Sequence, residues 1–335
     1  MPETPHRLPV LKLSLAVGLA LSLAACGGGG GDSSSDSSGP DAATAQSTSA
    51  DASTLTEDAA ATADLAVNAA LAVDTSQLSA ASARSGTLSA KPTDLTGSHA
   101  CAGGGSVQLT LSGASNVLLL NGQLDTGEVY AMNFSQCSGS AGAAALTGSA
   151  TLTVNQASAS SLALTLSTGT DGLVAALPAG TLTLTGSETI ARSQSGDPAG
   201  TWQTSSSWQA ASLALRSQRN GRDVSYTLAN AQGQRDATWL AGTLSTSSST
   251  SVADLSATGL LHAFSLHLAT QGAVSYDASG NPVSGTLTVD LSDRNRLEVS
   301  VGGGSVTVGV DLGADGSVDR SHTWTRGEWL ASAGS

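Results

Sequence analysis

Three aspartates near the C-terminus have the side chains and spacing that could bind a divalent cation. Asp311, Asp315 and Asp319 recur every four residues around a glycine turn, and carboxylate oxygens are ligands that Ca²⁺ prefers. The spacing departs from an EF-hand loop, because Gly313 stands at its third position and His322 stands where a bidentate glutamate is needed. Two interpretations follow, a calcium site and a solvated hairpin without metal, and we favour the hairpin.

Two histidines and two tryptophans also have side chains suited to binding. His262 and His267 are five residues apart, so in a strand they point to opposite faces and do not share a metal ion. We predict that His262 is buried and hydrogen-bonded. Trp202 and Trp208 are six residues apart and fall on one face of a strand. Their rings could form a platform for sugar rings, but core or edge packing is the interpretation that we favour.

The chain lacks the short motifs that mark common catalytic sites. The strings G-x-S-x-G, S-x-x-K, H-E-x-x-H and G-x-G-x-x-G and the phosphate-binding P-loop do not occur in it. Catalysis would need side chains assembled from distant strands, so we expect a protein that is not an enzyme and, calcium apart, needs no cofactor.

The N-terminus has the layout of an export signal. Arg7 and Lys12 precede an apolar run over residues 13–25, and a helix of that length covers only about 20 Å of the roughly 30 Å of bilayer hydrocarbon. The run ends in Leu23-Ala24-Ala25-Cys26, which resembles the lipobox of bacterial lipoproteins. The resemblance implies a signal peptide over 1–25, cleaved before Cys26, and acyl chains such as palmitate on that cysteine.

Acyl chains on Cys26 would serve as a stable membrane anchor, because two or more chains together bind a bilayer strongly. Position 27 is Gly, whereas in the enteric lipoproteins that this signal resembles an Asp there implies retention at the inner membrane. We therefore expect an outer membrane lipoprotein that faces either the periplasm or the cell surface.

The mature chain is strongly acidic and holds one pair of further cysteines. Cleavage before Cys26 leaves 11 basic and 25 acidic residues, a net charge of −14, and phosphate backbones repel such a chain, so we expect no nucleic acid partner. Cys101 and Cys137 form an even pair in an oxidising compartment, which favours a disulfide. Metal-binding thiolates, the alternative, need more Cys or His than His99 supplies.

Two motifs surround this cysteine pair. C-x-G-G-G-S runs from Cys101 to Ser106, and N-F-x-x-C runs from Asn133 to Cys137. Together they resemble a pattern in uncharacterised proteobacterial β-rich lipoproteins. The resemblance supports the disulfide and the compartment, and it implies no activity.

The sequence divides into three parts. After the signal peptide, residues 26–98 are acidic and rich in Gly, Ser and Ala, which predicts an unstructured tether. Inside it, Thr54 and Glu57 have the spacing of a capping box, so we expect a short helix near 56–73, interpreted as a spacer, with a docking helix as the alternative. Residues 99–335 hold every aromatic residue and form the folded domain.

Alternation of Thr or Ser with Val or Leu predicts strands throughout that domain, as in GSVQLTLSG, GTLTLTGS and GSVTVGVDL. We expect an all-β fold, either an antiparallel sandwich or a wide barrel-like sheet. Asn220-Gly221 predicts a two-residue type I′ hairpin that pairs Leu215 with Tyr226.

A second hairpin is expected at the C-terminus. A three-residue loop, Ala314-Asp315-Gly316, would pair Leu312 with Val318 and place Asp311 opposite Asp319.

Together these features favour a lipid-anchored envelope protein with a non-enzymatic role at the outer membrane. Its partners are then the membrane, reached through Cys26, and an envelope protein, a glycan or a lipid that it binds or scaffolds. A carrier of an apolar ligand, such as lipid in a half-open β-barrel, is the second class of function, and an envelope hydrolase is the third.

Overall fold

A computed structural model gives the structure of the chain. It describes residues 50, 51, 54, 57, 58 and 61, and residues 94–328 without 114–123, 140–143, 178, 198, 279–280 and 292–293. The expected signal peptide, Cys26 and most of the expected tether lie outside the described residues.

Within the described residues the chain forms fifteen strands, all of them in one sheet. In chain order the strands are β1 (Asp94–Ala100), β2 (Ser106–Ser112), β3 (Val129–Cys137), β4 (Ala145–Ala157), β5 (Ser161–Leu177), β6 (Gly180–Gly196), β7 (Thr201–Arg219), β8 (Arg222–Leu240), β9 (Thr243–Thr258), β10 (Phe264–Thr270), β11 (Val274–Tyr276), β12 (Pro282–Leu291), β13 (Arg296–Gly302), β14 (Ser305–Asp311) and β15 (Arg320–Thr325).

The strands form an antiparallel meander. Hydrogen bonding passes from β1 to β10 in chain order and continues through β12, β13 and β14 to β15, while β11 pairs with both β9 and β12. Among the described strands, β1 pairs only with β2, and β15 pairs only with β14. The all-β prediction is confirmed, with every described strand in a single sheet.

The core lies on one face of this sheet, which we call the inner face. Along β2 the side chains of Val107, Leu109 and Leu111 are buried, while those between them are more exposed. One cluster of buried side chains continues across the strands from β2 to β10 and into β12. A single sheet of this many strands curls, and the cluster shows that its inner face is the covered one.

Hydroxyl groups line the opposite, outer face. Thr165 and Thr189 are direct cross-strand partners with oxygens 3.3 Å apart, and Thr307 and Thr323 form a similar pair at 2.8 Å. Such pairs stabilise neighbouring strands while the hydroxyls remain solvated. The Thr and Ser half of the sequence alternation therefore lies on the outer face.

The hairpin between β7 and β8 has the expected register. Asn220 and Gly221 adopt φ angles of 52° and 74°, the left-handed values that a type I′ turn requires. Leu215 pairs with Tyr226, and the ladder continues to Thr201 and Leu240 at the far ends of the two strands. This prediction is confirmed.

The C-terminal hairpin keeps the expected register but has a longer loop. The ladder between β14 and β15 ends where Val310 pairs with Arg320, so Leu312 and Val318 lie in the loop, about half exposed. The expected pairing of Leu312 with Val318 is wrong, because the loop backbone turns back onto Asp311 instead.

The predicted disulfide joins Cys101 and Cys137, with Cα atoms 5.4 Å apart, a separation that a disulfide bridges readily. Gly105 of the adjoining C-x-G-G-G-S motif has φ 75°, and a Cβ there would lie 1.9 Å from the backbone oxygen of Gln136. The motif therefore has a glycine where its backbone lies against Gln136, the residue before Cys137.

The six described residues before β1 are all helical, namely Ala50, Asp51, Thr54, Glu57, Asp58 and Ala61. Their spacing places them on one face of a helix, and four of them are buried against the sheet. We call them the helical residues.

This segment differs from its prediction. Thr54 is not an N-cap, because it is itself helical and its Oγ1 donates to the backbone oxygen of Ala50 at 2.9 Å. These residues contact the sheet; the remainder of the expected 56–73 helix lies outside the described part. The sheet begins at Asp94, five residues before the expected domain start.

Candidate functional site

An aromatic cluster lies on the inner face where β7 begins and β8 ends. Trp202 and Thr204 share one face of β7, and Arg235 and Trp239 share the same face of β8, because Trp202 pairs directly with Trp239 and the ladder between them is regular. Tyr276 joins them from β11, which pairs with β9. We call Trp202, Arg235, Trp239 and Tyr276 the aromatic–arginine patch; each keeps part of its surface exposed.

The two tryptophans of the patch stack on each other. Their ring centroids are 5.5 Å apart with planes inclined by 30°, an arrangement that holds both rings rigidly. The Nε1 of Trp239 donates to Thr204 Oγ1 at 3.3 Å. The Nε1 of Trp202 is buried and has no hydrogen-bond partner, so the patch contains an unsatisfied donor.

Arg235 supplies the positive charge of the patch. Its Nη2 donates to Ser247 Oγ at 3.2 Å, and its Cζ lies 5.9 Å from the centroid of the Tyr276 ring, within cation–π distance. Tyr276 Oη is 2.9 Å from Ser249 Oγ. No carboxylate of the described residues forms an ion pair with Arg235, and a guanidinium has further N–H groups with which it can bind a ligand.

Trp208 belongs to the core and not to this patch. It shares a face with Trp202, as expected, but packs against the buried cluster and lies over Gly233, where a Cβ would be 2.4 Å from its Nε1. The aromatic partner of Trp202 is Trp239, which sequence reasoning missed. The register counted out from Asn220-Gly221 already pairs these two positions.

At the opposite end of β7 and β8 the helical residues cover the inner face. Asp58 is 2% exposed and its carboxylate accepts three hydrogen bonds, from Ser217 Oγ at 2.7 Å, Tyr226 Oη at 2.7 Å and Arg219 Nη1 at 3.2 Å. Burial and the neighbouring Asp58 raise the pKa of Tyr226, which keeps its hydroxyl a donor. This set compensates the buried charge with a cation and two hydroxyls.

A second carboxylate of the helical residues binds the turn between β9 and β10. Asp51 accepts hydrogen bonds from the backbone N of Leu261 at 3.0 Å and of His262 at 2.9 Å, and its Oδ2 lies 3.0 Å from His262 Nδ1. The prediction of a buried His262 is wrong, because β10 begins only at Phe264 and the His262 side chain is 58% exposed.

His267 lies on the outer face of β10 and is independent of His262. Its Nδ1 is 2.6 Å from Asp254 Oδ1, and Asn230 and His267 together lower the pKa of Asp254. The two histidines therefore contact different carboxylates, but not for the predicted reason, because His262 lies in the turn before β10 and not in a strand.

A polar cavity of about 140 Å³ lies between the helical residues and the β7–β8 hairpin. Arg219, Arg222, Asn220 and Glu57 contribute to its lining. Its size and polar walls suit a few water molecules.

Glu188 is a buried carboxyl group that sequence reasoning missed. It is 3% exposed and its Oε1 has no hydrogen-bond partner, and burial raises its pKa to about 7. In GTLTLTGSETI it alternates in step with Leu182, Leu184 and Ile190, so the period of two could have placed it on the inner face.

The three aspartates of the C-terminal loop bind backbone N–H groups. Asp311 accepts from the backbone N of Asp315 at 3.1 Å and of Gly316 at 2.9 Å, and Asp319 accepts from the backbone N of Leu312 at 2.7 Å. Across the described residues, no group of three or more His, Cys, Asp or Glu side chains is arranged to hold a metal ion.

No protein-family model matches the chain, and neither a curated protein nor a solved structure matches it. Within the described part of the chain, no helix combines the length and the apolar character needed to cross a membrane. The chemistry of the patch therefore bears on function more directly than the fold, since a fold alone does not define an activity.

Proposed function

We propose that this protein is an outer membrane lipoprotein, anchored through acyl chains on Cys26, that binds an envelope glycan at the aromatic–arginine patch without catalysing a reaction. The observation that carries the proposal is the combination of two stacked tryptophans with an arginine that no described carboxylate neutralises. The lipobox-like residues before Cys26 support the anchor.

The patch has the chemistry that a sugar ring needs. The C–H groups on one side of a pyranose pack against the faces of aromatic rings, while its hydroxyls accept hydrogen bonds from donors at the ring edges. Trp202 and Trp239 provide the faces, and the guanidinium of Arg235 provides donors. A neutral sugar would pack against the tryptophan rings but would not use the charge of Arg235.

The charge of Arg235 favours a sugar that carries a carboxylate or a phosphate. Guanidinium groups bind such anions through paired, charge-assisted hydrogen bonds. The remainder of the chain is acidic, with a net charge of −13 over its full length, so it repels polyanions in general. This general repulsion makes a local arginine such as Arg235 the feature that favours an anionic sugar at the patch.

The proposal is tested with the mature chain and two matched probes, oligogalacturonate and its neutral methyl ester. We expect saturable changes in tryptophan fluorescence with the acid and weaker binding of the ester. Arg235→Gln should weaken binding of the acid by about tenfold or more, because it removes a charge-assisted hydrogen bond, and Trp239→Ala should weaken binding of both probes.

Arg216→Gln is the control, because Arg216 lies on the exposed outer side of the same hairpin, paired with Asp223, and loses the same charge. Equal effects of the Arg235 and Arg216 variants would reduce the attraction to general electrostatics and contradict a specific patch. Absence of binding by either probe, and by the fragmented surface glycan of the parent cell, would remove the glycan proposal altogether.

A further inference from the structure

We infer that the helical residues orient the anchored molecule, holding the β7–β8 turn toward the membrane and presenting the aromatic–arginine patch away from it. The inference rests on the anchoring through Cys26 proposed above. It does not depend on what the patch binds.

The helical residues contact the sheet at two separate points. Asp58 binds the ends of β7 and β8, and Asp51 binds the turn between β9 and β10. The two aspartates are seven residues apart, about 10 Å along a helix. Two contacts at that separation fix both the position and the direction of a helix on the sheet.

Positive charge at this end of the sheet strengthens the attachment. Arg219 Nη1 donates to the backbone oxygen of Glu57 at 3.0 Å as well as to Asp58, and Arg222 Nη1 donates to the backbone oxygen of Ala50 at 3.2 Å. The acidic helical residues therefore meet two arginines of an otherwise acidic protein. Releasing Asp58 would leave Arg219 and Tyr226 without their buried acceptor, which is costly.

The chain from Cys26 to the helical residues is much shorter than the chain from Cys26 to the first strand. Ala50 follows Cys26 by 24 residues, whereas Asp94, where the sheet begins, follows it by 68. A fully extended chain covers at most about 3.4 Å per residue, so these two spans reach no farther than about 80 Å and about 230 Å. Docking thus brings the sheet closer to the bilayer and makes its helix-covered end the point of attachment.

The aromatic–arginine patch lies at the other end of β7 and β8. Fifteen residues of β7 separate Trp202 from Ser217, which corresponds to roughly 50 Å. With the end near Ser217 held by the short tether, the end near Trp202 extends away from the membrane surface. A glycan or another partner then reaches the patch without competing with the bilayer.

Energy transfer to a labelled membrane tests this orientation. Cys101 and Cys137 are joined in a disulfide, so in the mature chain Cys26 is the free thiol and can be coupled to a maleimide lipid in vesicles that contain an acceptor dye. A donor dye is attached through an azide-bearing residue at Ala179 or at Ala199, two exposed positions that flank β6 at its opposite ends.

We expect transfer from position 179 to be about twofold more efficient than from position 199, because the donors are separated by roughly 50 Å along the strand. The double substitution Asp51→Asn and Asp58→Asn should lower transfer from position 179 toward that from 199. Asp236→Asn, which removes an exposed carboxylate from β8, should change neither value.

Equal transfer from both positions, or transfer that the double substitution leaves unchanged, would overturn the inference. Melting curves show whether the double variant is folded; where it is not, Asp51→Asn alone is used, since Asp51 binds only the β9–β10 turn. Chemical coupling of Cys26 makes the outcome independent of acylation in the cell and of glycan binding, so failure here is distinguishable from failure of the proposed function.

Discussion

Two carboxyl groups, those of Glu188 and Glu128, are buried on the inner face among apolar side chains. Glu188 lies between apolar positions of β6, and Glu128 is equally buried. Glu128 Oε2 accepts from Tyr130 Oη at 2.7 Å and from the backbone N of Asp125 at 2.9 Å, whereas the Oε1 atoms of both carboxyl groups have no partner among the described residues. Burial disfavours the charged form of Glu188, so its ionisation opposes folding.

The pH dependence of stability should reveal Glu188. Burial raises its pKa to about 7, against an ordinary value of 4.5 in the unfolded chain, so the folded state binds the extra proton between these two pH values. Its contribution to stability is complete below about pH 4.5 and is lost as pH rises to about 7, a change of about 3 kcal/mol.

Chemical unfolding of the wild-type protein and of Glu188→Gln across pH 4 to 8 measures this change. The free energy of unfolding of the variant, taken relative to wild type, should rise with pH through the window and level off above it. A difference that stays constant with pH would show that Glu188 titrates normally.

At the scale of elements, the turn residues predicted the β7–β8 hairpin in full and the C-terminal hairpin only in part. Asn220-Gly221 fixed the register of β7 and β8 because a two-residue type I′ turn leaves one geometry for the flanking strands. The C-terminal loop has the predicted register but is longer, because Asp311 binds the backbone of its own loop and replaces further strand pairing. Side-chain competition for backbone N–H groups is not visible in strand alternation.

The aspartate loop gives a prediction about calcium. Asp311, Asp315 and Asp319 each accept backbone N–H groups, so the loop is satisfied without metal, and millimolar Ca²⁺ should leave the melting temperature unchanged. Asp311→Ala should lower stability by about 1–3 kcal/mol because it leaves two N–H groups without their acceptor.

Both effects are measured by thermal and chemical unfolding with and without calcium. A rise in melting temperature that saturates with Ca²⁺ and disappears in Asp319→Asn would restore the calcium interpretation.

At the scale of the whole molecule, the inner face of the curled sheet is divided along β7 and β8 into three zones. The helical residues cover one end, the apolar cluster fills the middle, and the aromatic–arginine patch occupies the other end. The expectation of a simple spacer missed this arrangement, because Asp58 and Asp51 are acidic residues in an acidic stretch and their partners lie more than 150 residues later in the chain.

The proposed lipid anchor at Cys26 leads to a prediction for the whole molecule. Mass spectrometry of the protein from the outer membrane fraction should find an N-terminal peptide that begins at Cys26 and carries the mass of acyl chains. Cys26→Ser should move the protein out of the membrane fraction while its domain stays folded, because residues 94–328 hold the sheet independently of the anchor. An unmodified Cys26 in membrane-bound protein would contradict the lipid anchor.

The sequence by itself determined the all-β fold, the disulfide between Cys101 and Cys137 and the register of the β7–β8 hairpin, because strand alternation, cysteine parity and turn chemistry act over a few residues. Only the tertiary structure decided that Trp202 stacks on Trp239, that Arg235 lies beside Tyr276 and that Asp58 docks on the sheet. These contacts join distant parts of the chain, and their energies depend on the curl of the sheet and on burial, which local patterns do not encode.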